Sequence, residues 1–201
     1  ALCITCHSDS RANGPRTVNV GGTLIASSSK PIFADGRAEN IGVPKNTYDP
    51  YLEENAPDQH GFVANAAGKA YSDTGVAAFL TDKTENTNAQ WAALAPQYAG
   101  KFETPTLRNI AQAQRAGFVR AYMHNGVFHG LKEVVHFYNT RDVLPHCSLH
   151  APGEGVSCWP APEFPATMNR TIGNLHLTDA EENDLVAFLE TLTDGSTSPS
   201  P

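Results

Sequence analysis

Four stretches of the chain predict helices, all of them from about Thr87 onward. In NTNAQWAALAPQYAG, Trp91, Leu94, Ala95 and Tyr98 recur with that period from Thr87 onward, although Pro96 interrupts the last turn. TPTLRNIAQAQ begins with Thr104 as an N-cap and Pro105 at the first helical position, which predicts a second helix. GLKEVVHFYN sets Leu131, Val134, Val135 and Tyr138 on one helical face and predicts a third. In LTDAEENDLVAFLETLTDG, Thr178 and Glu181 form a capping box, Leu185, Phe188, Leu189 and Leu192 make an apolar stripe, and Gly195 follows as a stop. Residues 195–201 read as a frayed tail.

The chain before Thr87 has no such period. Residues 10–75 are rich in Gly, Asn, Asp and Pro with short apolar islands such as TLIA and PIFA, which predicts irregular structure packed over something other than its own side chains. No repeat is visible, and no strand is strong enough to organise a sheet. At 201 residues and 40% hydrophobic content the chain can bury one sizeable core, so a single domain over 1–201 is expected. A formal net charge of -7 disfavours nucleic acid and anionic membrane surfaces as partners. No run of 18 apolar residues spans a bilayer, and residues 1–10 lack the character of a signal peptide. Export would then require a signal lying outside this chain or already removed.

Cysteines change the picture more. They fall into two pairs, Cys3/Cys6 and Cys147/Cys158. The second pair brackets ten loop-like residues rich in Gly and Pro, a loop readily closed by a disulfide, which points to an oxidising compartment. The first pair belongs to CITCH, the C-x-x-C-H attachment signature of c-type haem: two thiols bond the vinyl groups and the adjacent His7 reaches the iron. A thioredoxin-like pair would follow a strand in a βαβ unit, and a zinc knuckle would need a second closely spaced ligand pair. Neither context surrounds residues 1–10. The distal ligand can be sought among Met123, Met168, Tyr138 and the histidines 124, 129, 136, 146, 150 and 176. From residue types alone Met123 is favoured, because thioether ligation is common in electron-transfer cytochromes c and most lone histidines are surface or satisfied polar residues.

Taken in order, CITCH, FETPTLRN, AYMHNGVFHGLKEVVHFYN and LTDAEENDLVAFLETL closely resemble the C-terminal haem domain of bacterial di-haem cytochrome c peroxidases, a group that includes the methylamine-utilisation di-haem enzyme that matures a tryptophylquinone. The resemblance implies a mostly α, class I cytochrome c-like haem domain with long irregular loops, a periplasmic location and two haems, of which this domain would hold the electron-entry one. It also implies that the distal ligand position is Tyr138, with Met123 as the alternative, and that His124 lies near the interface between haems to tune or relay. Arg108 is a candidate partner for a haem propionate, since guanidinium matches carboxylate in a bidentate manner; a surface or helix-end arginine is the competing reading. The family's interdomain calcium would fall on the carbonyls of Val119 and Ala121, where FVRAY departs from the family's pattern. Two further departures matter. Only one C-x-x-C-H is present, so a second haem must sit in a partner domain or chain, and peroxidase activity would need it. The segment from Pro145 to Gly173 is an insertion carrying the cysteine pair, a lid, a docking surface or simply a decorated loop. Against the electron-entry domain stand a stand-alone single-haem electron carrier and a haem-bearing structural subunit without turnover; the physiological redox partner is not legible.

Overall fold

A computed structural model describes residues 3, 6, 7, 17–20, 23–26, 33, 34, 36–112 and 118–193. The chain divides into two compact units, one drawing on Ala1–Ala38, Glu103–Phe118 and Leu177–Pro201, the other formed by Glu39–Phe102 and Val119–His176. Gly195 and the tail, read from sequence as a helix stop and a frayed end, lie outside the described residues.

The first unit contains β1 (Thr17–Val20) and β2 (Thr23–Ala26), an antiparallel pair in which Thr17 faces Ala26 and Val20 faces Thr23. The helix expected from Thr104 does not form over 104–112. Thr104 is buried and its N–H donates to the Arg37 carbonyl at 2.9 Å, which holds the segment extended. Residues 108–111 then make a turn, and Asn109 adopts φ 62° while its N–H donates to the Leu192 carbonyl at 2.7 Å. A left-handed residue cannot continue a helix, so tertiary bonding overrides the Thr-Pro start signal. The last helix of the chain does form over Asp179–Glu190, with the Thr178/Glu181 capping box complete and Leu189 buried, though Phe188 of the expected stripe is half exposed.

The second unit begins with irregular chain held by buried asparagines. Asn65 donates to the carbonyls of Tyr51 and Gly68 and accepts from the Gly68 N–H, and Asn40 donates to Phe164 O at 2.7 Å and Thr167 Oγ1 at 2.8 Å. Such amides satisfy backbone groups that a helix or sheet would otherwise pair. Between the two-residue strands β3 (Ala38–Glu39) and β4 (Phe102–Glu103) lie three short helices: α1 (Val76–Thr81), α2 (Ala89–Ala92) and α3 (Ala95–Tyr98). The single helix expected from Thr87 is thus two. Asn88 caps α2 by accepting from Gln90 N–H, and Pro96 sits in the first turn of α3, where its missing donor costs nothing. Ala95 packs with Ala77 and Leu80 of α1, whereas Trp91 and Leu94 are exposed. Gly75 starts α1 at φ 59°, and a Cβ there would collide with the Lys101 carbonyl oxygen, so only glycine fits.

The main core lies under α4 (Leu131–Thr140), the third helix expected from sequence. Leu131 and Val135 are buried as the pattern predicts, and Val134 and Tyr138 are half-buried. Phe137 is buried as well, at 1% exposure, because Val43, Phe128 and Trp159 close over it. Trp159 comes from the 145–173 segment. There β5 (His146–Cys147) pairs in parallel with β6 (Trp159–Pro160), and a disulfide joins Cys147 to Cys158 with Cα atoms 5.7 Å apart, the bridge expected from the loop. No helix among the described residues is long and apolar enough to cross a membrane.

Candidate haem site

Cys3, Cys6 and His7 lie in the first unit, all half-buried. The Cys3 carbonyl accepts from the N–H of Cys6 at 3.3 Å and of His7 at 2.8 Å, a tight turn that gathers both thiols and the imidazole. His7 Nδ1 lies 2.8 Å from the Phe33 carbonyl oxygen. A carbonyl can only accept, so Nδ1 carries the proton and Nε2 keeps its lone pair for a metal. Phe33 presents that carbonyl from a left-handed backbone, φ 50°. This arrangement fits an iron-ligating histidine, and two cysteines that are not disulfide-bonded, within the same turn, fit a group held by thioethers. Burial pushes the Cys3 thiol up, the direction opposite to that of an attacking cysteine. Arg108 belongs to the same unit, half-buried in the 108–111 turn, with its N–H donating to Thr106 Oγ1 at 3.2 Å.

The candidates for the distal side belong to the second unit. Met123 and Tyr138 both pack, half-buried, against the Val43, Phe128, Phe137 and Trp159 core. Tyr138 meets the Phe137 ring edge-on, with centroids 6.3 Å apart, and its carbonyl accepts from Gly173 N–H at 2.8 Å. Met123 adopts φ 68°, and the next residue, His124, lays its ring on Phe102 with centroids 3.7 Å apart and planes 10° from parallel. That covered face lowers the imidazole pKa by desolvation, partly offset by Asp73, even though much of the residue remains exposed.

The other candidates have structural occupations. His150 Nε2 lies 2.6 Å from Thr47 Oγ1 beside the Tyr48 ring, His129 Nδ1 donates to the Arg120 carbonyl at 3.0 Å, and His146 Nδ1 donates to Trp159 O at 3.3 Å. His136 lies against Trp159, and His176 takes φ 57°. Met168 packs its Sδ where a Cβ on Gly42 would stand. Val119 and Ala121, the residues assigned calcium by resemblance, are exposed, and among the described residues no group of three or more His, Cys, Asp or Glu gathers as metal ligands.

Sequence reasoning overlooked Arg141. Its side chain is 3% exposed and donates to the carbonyls of Ile41 at 2.6 Å, Asn169 at 2.9 Å and Ile172 at 2.8 Å, and to both oxygens of Asp142. Those bonds, with the Arg141 charge beside it, hold the Asp142 carboxyl below the usual carboxylate range. An arginine just past an amphipathic helix reads as a surface charge; no local pattern announces that three carbonyls from two distant loops converge on it.

No family model matches the chain. Among curated proteins it is similar to the methylamine utilization protein MauG of Paracoccus denitrificans, 37% identical over 102 residues, which are 49% of this chain and 24% of the relative. It is also similar to the cytochrome-c peroxidase IdrP1 of Denitromonas iodatirespirans, 29% identical over 84% of this chain and 36% of the relative. The cytochrome-c peroxidase IdrP2 of Pseudomonas sp. (strain SCT) is 28% identical over 96% and 36%, respectively. The matched part of the chain spans about a quarter to a third of the length of these relatives.

Proposed function

We propose that the chain is a c-type haem electron-transfer domain of the di-haem cytochrome c peroxidase and MauG family, the electron-entry half of a di-haem system. Electrons or oxidising equivalents would pass to a second haem in a partner domain or chain. The observation that carries this reading is the His7 imidazole, whose Nδ1–H is committed to the Phe33 carbonyl so that Nε2 is left to ligate. When bound, the haem supplies one-electron redox chemistry. Cys3 and Cys6 would tether it, each thiol adding its S–H across a vinyl group. Tyr138 would hold the iron as second protein ligand, with Met123 as the alternative, Arg108 would pair with a propionate, and His124 would tune the site. We read the architecture as a mostly helical, class I cytochrome c-like domain with long loops. The Cys147–Cys158 disulfide and covalent haem attachment both suit the periplasm.

With His7 and Tyr138 both holding the haem, peroxide cleavage would fall to the second haem in the partner domain or chain. The haem-loaded chain alone should reduce and reoxidise reversibly with one electron per chain while showing no peroxide turnover above free-haem background. Stopped-flow assay with hydrogen peroxide and a reduced cytochrome donor checks this. Multiple turnovers by the isolated chain would overturn the assignment.

A further inference from the structure

The last turn of α4 is held from one side by the returning segment 169–175. Gly173 N–H donates to the carbonyl of Tyr138, Leu175 N–H to that of Asn139 at 3.2 Å, and Asp142 N–H back to Gly173 O at 2.8 Å. Arg141, three residues after Tyr138, locks this arrangement. Its guanidinium spans Ile41, Asn169, Ile172 and Asp142, so loops far apart in sequence are tied to one helical turn. Gly173 takes φ 99°, and a Cβ there would stand 2.7 Å from Asp142 Oδ2 and 2.9 Å from Arg141 Nε. The backbone of Tyr138 is therefore bonded to a segment that is itself fitted against the Arg141–Asp142 pair.

We infer that Arg141, with Asp142 and Gly173, is the positioning device for Tyr138, fixing the rotation of α4 and hence the direction of the phenol. The inference rests on Tyr138 as the distal ligand. A buried fork bonded to several acceptors resists rotation of the helix that carries it, whereas apolar packing allows small slips. Part of the Pro145–Gly173 insertion then has a purpose at the iron rather than at the surface.

The test uses the haem-loaded chain with Arg141→Lys and Asp142→Asn, and Tyr138→Phe as the reference. Lysine keeps the charge but cannot reach three carbonyls and a carboxylate at once. Haem content and far-UV circular dichroism should be retained, while the ferric electron paramagnetic resonance spectrum becomes heterogeneous, a second ligation state rising roughly tenfold in population. Asp142→Asn, at a partly exposed position, should move the spectrum in the same direction by less and keeps the test available if Arg141→Lys does not fold. A homogeneous wild-type ferric signal in the folded variants, accompanied only by a lower urea midpoint, would show that the cluster is purely structural and overturn the inference while leaving the ligand in place. If Tyr138→Phe itself leaves the ferric signal unchanged, the ligand assignment fails and the inference falls with it.

Discussion

Replacing Tyr138 by phenylalanine should strip the ferric haem-loaded chain of its phenolate signature and raise the midpoint potential by on the order of 0.1 V, a modest part of the roughly 0.8 V that axial ligands command. The side chain lies half-buried on α4 against an apolar core, at the position the family resemblance gives to the second iron ligand. Coordination to ferric iron would ionise it far below its unperturbed pKa of about 10, as metals do to acidic ligands. The bound anion is hard and stabilises the oxidised state, so its loss favours reduction. Met123 packs on the same core and is the control: Met123→Leu should leave the spectrum unchanged. Potentiometric titration with optical detection decides between them. A thioether charge-transfer band in the wild type would transfer the ligand role to Met123.

Trp159→Ala should cost about 3–5 kcal/mol of unfolding free energy, as expected for emptying a fully buried large aromatic site. Trp159 is 1% exposed, meets Phe137 edge-on at 5.1 Å and Phe128 at 5.6 Å, and donates from Nε1 to Thr140 Oγ1 at 3.0 Å. It follows Cys158 directly, so the disulfide anchors the strand that delivers it. Trp159→Phe, which keeps most of the ring contacts and loses the hydrogen bond, should cost about 1–2 kcal/mol. Urea denaturation measures both. A loss below about 1 kcal/mol for the alanine variant would reduce the insertion to a decorated loop.

Features with local causes were legible in the sequence. The Thr178/Glu181 capping box, the helix over 131–140 and the Cys147–Cys158 bridge each follow from residues within about a dozen positions of one another. Features set by distant partners were not. Thr104 and Pro105 carry a helix start, yet the Arg37 and Leu192 carbonyls draw that segment into an extended stretch and a turn. Trp91 and Leu94 have the spacing of a buried face, but Pro96 restarts the helix and turns Ala95 inward instead. Helix α1 was missed because its start depends on a glycine fitted against Lys101, not on a capping side chain. At the candidate site, C-x-x-C-H was visible as a motif, while the Phe33 carbonyl beside His7 and the fork of Arg141 exist only once distant loops meet them.

The pyridine haemochrome spectrum of the chain matured in an oxidising compartment tests the central assignment most directly. With both vinyl groups saturated by Cys3 and Cys6, the spectrum should be of the c type, one haem per chain, and the haem should stay with the polypeptide in acid acetone. A b-type spectrum, with haem passing into the acetone, would contradict covalent attachment at CITCH and with it the electron-entry domain.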